Sequence, residues 1–324
     1  MAGKKTKWFF VILAIVLVIG GLYGISIWLA GDFFNFGGGS FYAGEFDEEV
    51  IEEGDSTDKI ALINVVGEIF SDPEGYFPGA SDTLINGQLE QAYDDPDVKA
   101  VIINLETPGG GVVASDLIYQ RVVKLREQGK PVVALMGDIA ASGGYYIAAG
   151  ADRIVAHPST WTGSIGVIAM LPNFEVAINK IGVGVTVLKS GAMKDAGSPF
   201  RAMTPEEQAL FQTLIDEAYA EFVNAIADGR SIPREQVVTL ADGRIYSGTQ
   251  AKQAGLVDEL GSQDDAFRIA KELGEAKEAS LVRYSQVLGF SDLLTVSSQR
   301  IKSSQIKQEL GIPRRPGAAY LWIP

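Results

Sequence analysis

The sequence predicts an α/β fold with a mainly parallel sheet, preceded by one membrane-spanning helix. Three observations carry this. From Lys59 onward short apolar runs alternate with helical stretches, the pattern of right-handed β-α-β units. Before them, residues 8–30 hold no charged side chain. Glycines cluster at 109–111 and 143–144, just after predicted strands, where an α/β fold turns backbone N–H groups toward a ligand.

Residues 8–30 come first. A helix of that length spans about 34 Å, enough for a hydrocarbon core of about 30 Å. Lys4, Lys5 and Lys7 precede it, and no Lys or Arg recurs until Lys59. The positive-inside rule therefore places residues 1–7 in the cytoplasm and the body outside, on a single-pass anchor in the cell membrane. A cleaved signal peptide would carry an apolar core of about 7–15 residues ending at a small-x-small site. Here the core is longer and Trp28 stands where a small residue is wanted, so the anchor is read as uncleaved. Residues 31–58 begin Gly/Phe-rich and then carry eight acidic residues between positions 45 and 58, which reads as a flexible acidic tether.

In the body, residues 60–66, 101–105, 131–136, 153–156 and 185–188 read as strands. Residues 114–126 and 205–227 have helical periodicity. The second helix opens with Thr204 and, three residues on, Glu207, the spacing of a capping box. The folded body is placed at 59–285. The remaining arm, 286–324, is richer in Lys and Arg and ends in the apolar run YLWIP; it reads either as a disordered tail or as an arm docking on a neighbouring subunit.

Composition narrows the chemistry. The chain has 324 residues, no cysteine and one histidine, His157. That excludes disulfides, thiolate metal sites, a cysteine nucleophile and any multi-histidine metal centre; neither metal nor cofactor is expected. A net charge of −14 argues against nucleic acid as a partner.

Three turns could carry chemistry. Thr107-Pro108-Gly109-Gly110-Gly111 follows a strand and opens a helix; it suits an anion or oxyanion cradle, or a plain tight turn. It lacks the G-x-G-x-x-G spacing of a dinucleotide site. Ala140-Ala141-Ser142-Gly143-Gly144 presents a serine at a strand-to-helix turn with the Gly143 N–H beside it. A nucleophile with a nearby oxyanion donor has that form, and so does an ordinary N-cap serine. It is not the G-x-S-x-G elbow, because position 140 is alanine. Lys189-Ser190-Gly191-Ala192-Met193-Lys194-Asp195 offers two lysines, either of which could serve as a base if burial kept it neutral, or sit on the surface. His157, at the end of a strand, reads as a turn histidine rather than a base.

Taken together, TPGGG, AASGGYY, TGSIGV (162–167), KSGAMKD, SPFR (198–201), MTPEE (203–207), GRIYSG (243–248) and AKQAGLVD (251–258) resemble the signal peptide peptidase A family in its short, single-domain form. The resemblance covers roughly residues 59–261. It implies a Clp-protease/crotonase-like α/β fold of repeated β-β-α/β-α-β units and a serine–lysine dyad endopeptidase. By motif, Ser142 matches the nucleophile, Lys194 the general base and Ser164 the hydroxyl that orients the lysine. Gly110 and Gly143 match the oxyanion N–H donors, and Lys189 falls outside the dyad. One departure is Glu106-Thr107, where the family usually has Asn-Ser.

The resemblance also implies peptide substrates left in the membrane as remnant signal peptides. It implies a homo-oligomeric ring whose sites combine the serine of one protomer with the lysine of the next. The alternatives are a catalytically inactive membrane-anchored scaffold on a protease fold and a crotonase-type acyl-CoA enzyme.

Overall fold

The computed structural model describes residues 46–72, 79–285 and, as backbone, 319–321. In chain order these form β1 (Asp47–Glu52), β2 (Lys59–Val66), α1 (Asp82–Asp94), β3 (Val98–Thr107), β4 (Gly109–Gly111), α2 (Val112–Glu127), β5 (Val132–Ala141), α3 (Gly143–Ala149), β6 (Arg153–Ala156) and β7 (Trp161–Gly163). Then follow α4 (Glu175–Lys180), a 3₁₀ turn (Ala192–Asp195), α5 (Pro205–Arg230), α6 (Arg234–Leu240), β8 (Ile245–Ser247), α7 (Gly248–Gln253), β9 (Glu259–Leu260), α8 (Gln263–Leu273), β10 (Ser280–Ser285) and β11 (Ala319–Leu321). This is a mixed α/β fold around a central sheet, as expected.

The sheet runs β1-β10-β2-β3-β5-β6-β9, with β7 joined to the upper part of β5 and β8 to β7. Neighbours from β10 to β9 are parallel, and β1 closes one edge antiparallel to β10. Side chains alternate across each strand. Ala61, Ile63 and Val65 of β2, Val101, Ile103 and Leu105 of β3, and Val132, Ala134 and Met136 of β5 share one core with α1, α2, α3 and α5. Ile60, Leu62, Ala100, Ile102, Val133 and Leu135 point the other way, against Ala266, Phe267, Ile269 and Ala270 of α8. Both faces are buried, which is why these strands read as continuous apolar runs rather than alternating ones.

The predicted helices are present, and the Thr204–Glu207 capping box forms at the start of α5 in both directions. Three expectations change. Residues 137–139, beyond the strand placed at 131–136, continue β5 with a shift in its register against β3. Glu106 explains it: its Oε2 accepts the Asp138 N–H at 2.8 Å and fills the space a side chain at Gly137 would need.

Residues 185–188, read as a strand, pair with no strand among the described residues. Val183, Val185 and Val187 stand 46–47% exposed along this extended segment and Leu188 is 94% exposed. The alternation was legible, but among the described residues no strand pairs with it.

The acidic stretch read as tether contains β1. Its carboxylates meet cations on neighbouring strands: Glu49 pairs with Arg283 at 2.6 Å and Glu48 with Lys59 at 2.8 Å. Among the described residues no helix is long and apolar enough to cross a membrane; the expected anchor at 8–30 lies outside them.

Candidate active site

The site forms where β3 and β5 run out of the sheet. β5 ends at Ala141 and the chain turns directly into α3, which places Ser142 at the N-cap with φ 55° and ψ −115°. A non-glycine residue held there costs on the order of 1–3 kcal/mol and persists only where its surroundings enforce it. They do: the Ser142 N–H donates to the Gly163 carbonyl at 2.7 Å and its carbonyl accepts the Tyr146 N–H at 2.9 Å. Below it, buried Tyr145 anchors α3 by donating its hydroxyl to the Leu256 carbonyl at 2.9 Å, and burial pushes that phenol's pKa upward.

The two readings of Ser142 now separate. Its hydroxyl makes no capping bond to α3. It is 1% exposed, and its Oγ has no hydrogen-bond partner among the described residues. An N-cap serine earns its place through that bond. Ser142 forgoes it in a strained conformation, the condition of a hydroxyl reserved for another partner.

Gly143 is the first residue of α3, where N–H groups have no partner within the helix. A side chain there would strike Ser115 Oγ and lie 3.2 Å from the Gly110 nitrogen, so the two predicted donors stand side by side. Gly110 admits no side chain either, because a Cβ would run into the Ile69 carbonyl. The Ile69 N–H donates to the Gly109 carbonyl and its own carbonyl accepts the Gly111 N–H, both at 2.9 Å, which fixes the glycine strand in place.

Ser164 follows β7. It is mostly buried at φ 49°, its N–H donating to the Arg244 carbonyl at 2.8 Å. The preceding Gly163 carbonyl accepts from Ser142, so Ser142, Gly143, Gly110 and Ser164 lie in one region of the fold.

Lys194 stands apart. It lies on the exposed 3₁₀ turn Ala192–Asp195, and no side-chain hydrogen bond or ion pair ties it to the described residues. His157 is exposed in its turn; its Nδ1 accepts the Ser159 N–H at 3.2 Å. Neither side chain bonds to Ser142 within this chain.

Two features escaped sequence reasoning. The backbone of β11 pairs antiparallel with β4, Tyr320 opposite Gly110 and Leu321 opposite Gly109; no pattern in a short terminal run announces its partner. Lys189, Asp195, Arg201 and Glu207 form one connected ion network. Only its last member was foreshadowed, through the capping box.

Residues 124–277 match the model of peptidase family S49. A putative signal peptide peptidase SppA of Enterococcus faecium is 38% identical over 299 residues, covering 87% of this chain and 86% of that one. The chain belongs to peptidase family S49. Protease 4 of Haemophilus influenzae is 36% identical over 83% of this S49 chain, which spans 46% of that relative's length. A putative protease of Methanocaldococcus jannaschii is 38% identical over 233 residues, 70% of this chain and 74% of the relative. Ser142, Ser164 and Lys194 fall within the residues matched to the S49 model, and Gly110 precedes them.

Proposed function

We propose that this S49 peptidase is a membrane-anchored serine endopeptidase of Clp-protease/crotonase-like fold. It degrades remnant signal peptides with Ser142 as nucleophile and Lys194 as general base. The observation that carries the reading is Ser142, whose hydroxyl is buried and unpartnered on a strained backbone, followed directly by Gly143, which packs against the Gly110 nitrogen.

In the proposed reaction neutral Lys194 takes the Ser142 proton as Oγ adds to the peptide carbonyl. The Gly110 and Gly143 N–H groups bind the oxyanion. The Lys194 ammonium then gives its proton to the departing amine, and water releases the acyl group from Ser142. Ser164 orients the lysine amine. The antiparallel pairing of β11 with β4 supports extended-peptide binding, since a substrate strand laid on β4 would present its carbonyls along the same glycines.

Lys194 is exposed and has no side-chain partner among the described residues, and a row of valines lies exposed on the segment leading to it. Both support a homo-oligomeric ring in which one protomer's Lys194 meets the next protomer's Ser142. Residues 8–30 would hold the ring in the cell membrane, with the N-terminus cytoplasmic and the catalytic body outside.

The test is hydrolysis of a fluorogenic signal-peptide-like substrate by the full chain in detergent. Ser142→Ala and Lys194→Ala should each lose activity, His157→Ala should keep it, and mixed Ser142→Ala and Lys194→Ala subunits should recover part of it. Loss of activity in His157→Ala with the fold intact would replace lysine by histidine as the base. A mixture that stays inactive where wild type reassembles would remove the shared site.

A further inference from the structure

Lys194 occupies the third position of a short 3₁₀ turn, too little structure to hold a long side chain in register. What secures the turn is the next residue. The Asp195 carboxylate accepts from Lys189 Nζ at 2.6 Å and from Arg201 Nε at 3.0 Å. Lys189 Nζ also donates to the Ala192 carbonyl at 2.8 Å, which closes the turn from its other side.

Arg201 spends its whole guanidinium here. Beyond Asp195 Oδ2 it donates to the Asp195 carbonyl at 3.1 Å, to the Ala202 carbonyl at 3.0 Å and through two nitrogens to Glu207. Glu207 is 2% exposed and belongs to the capping box of α5. The turn is thereby bolted to the start of the longest helix among the described residues. A planar fork makes these bonds at once, and a lysine at 201 would not.

The charges matter as much as the bonds. Lys189, Asp195, Arg201 and, through Arg201, Glu207 are the charged side chains bonded into this turn. Two positive and two negative, they cancel. Paired this way the Asp195 carboxyl is held well below the ordinary carboxylate range by its bonds to Arg201 and Lys189, so it stays anionic and engaged at any working pH.

We propose that Lys189 and Arg201 are positioning residues for Lys194. They fix its turn through Asp195 and balance the negative charge that Asp195 carries in the residue next to Lys194. The inference rests on Lys194 being the general base. An uncompensated carboxylate next to that amine would favour its ammonium form and withhold the base; the clamp lets Asp195 organise the turn without that penalty.

The experiment is the pH profile of kcat/KM for the full chain in detergent, with a fluorogenic signal-peptide-like substrate. Lys189→Met leaves one excess negative charge and should move the rising alkaline limb upward by about 0.5 pH unit, the order of effect of a single nearby charge in largely aqueous surroundings. Asp195→Asn leaves one excess positive charge and should move it downward by a similar amount. The double variant should bring it back toward the wild-type position.

A purely structural clamp would lower activity without shifts of opposite sign, so an unmoved limb, or two single variants moving the same way, overturns the proposal. If Lys189→Met fails to assemble, Asp195→Asn alone decides. Lys194→Ala separates the two levels: retained turnover sinks the general-base reading itself. Lost turnover with unmoved limbs in the other variants sinks only the clamp.

Discussion

The main-chain N–H of Ser142 donates to the carbonyl of Gly163 at 2.7 Å, which couples the proposed nucleophile to the residue immediately before Ser164. The turn after β5 and the turn after β7 are therefore one unit. Gly163 sits at φ 79° against the Tyr246 ring, where a side chain would collide. A change at Gly163 is transmitted to Ser142 through a single hydrogen bond. Gly163→Ala should consequently lower kcat by at least tenfold while secondary structure is retained, as read by single-turnover kinetics and circular dichroism.

Strain at Ser142 predicts that function and stability oppose one another there. Ser142→Gly removes both the unpartnered hydroxyl and the unfavourable φ, so it should be inactive yet more stable, by about 1 kcal/mol after the entropy of glycine is counted. Ser142→Ala should be inactive with a smaller gain, since it keeps the strain. Thermal unfolding of the three proteins should order them serine, alanine, glycine.

Gly143→Ala tests the packing behind the oxyanion donors. The added methyl meets Ser115 Oγ, and overpacking of a buried site costs about 1–3 kcal/mol. Ser115→Ala in the same protein removes the colliding atom and should restore part of that loss. A double variant no more stable than Gly143→Ala would show that another contact is responsible.

The ion network gives residues 189–207 an acid limit. Asp195 is held below its ordinary value chiefly by bonds from Arg201 and Lys189, and Glu207 chiefly by Arg201 and the Thr204 N–H. Groups lowered on folding contribute fully above their unfolded values, about 3.9 for Asp and 4.3 for Glu, and that contribution is lost as pH falls through the lower folded values. Hydrogen exchange across residues 189–207 should stay constant from pH 7 to about 5, after correction for the intrinsic rate, and accelerate below about pH 4. Asp195→Asn should flatten that dependence.

Val185 tests the exposed row of valines. Val185→Lys touches no core and should leave the isolated fold intact, while weakening self-association at least tenfold, or ~1.4 kcal/mol, measured by sedimentation. Unchanged association would exclude this segment from the subunit contact.

The sheet and its helices were legible because burial on both faces writes itself into runs such as 60–66 and 101–105, and because Thr204 and Glu207 announce a helix start by local spacing alone. Ser142, Gly143 and Gly110 were found by the company they keep after strand ends. Features set by distant partners left no such trace. Asp195 meets Arg201 only because the chain folds back between them, and Glu106 bends β5 from a neighbouring strand. Asp47–Glu52 reads as solvated until Arg283 and Lys59 are seen opposite it. The 185–188 run shows the converse: a strand pattern faithfully written, with no partner strand among the described residues.

In the proposed ring, that run would make part of the molecule subject to mass action. Just before it, Gly184 has no atom within 4 Å of where a side chain would stand, so a second backbone can approach closely there. In a dilute solution water must satisfy its peptide groups, whereas in a concentrated one another strand can. The segment leading to Lys194 would then draw part of its stability from the neighbouring subunit. Dilution should loosen it long before the central sheet responds, and any melting temperature recorded for it belongs to a concentration as much as to a sequence.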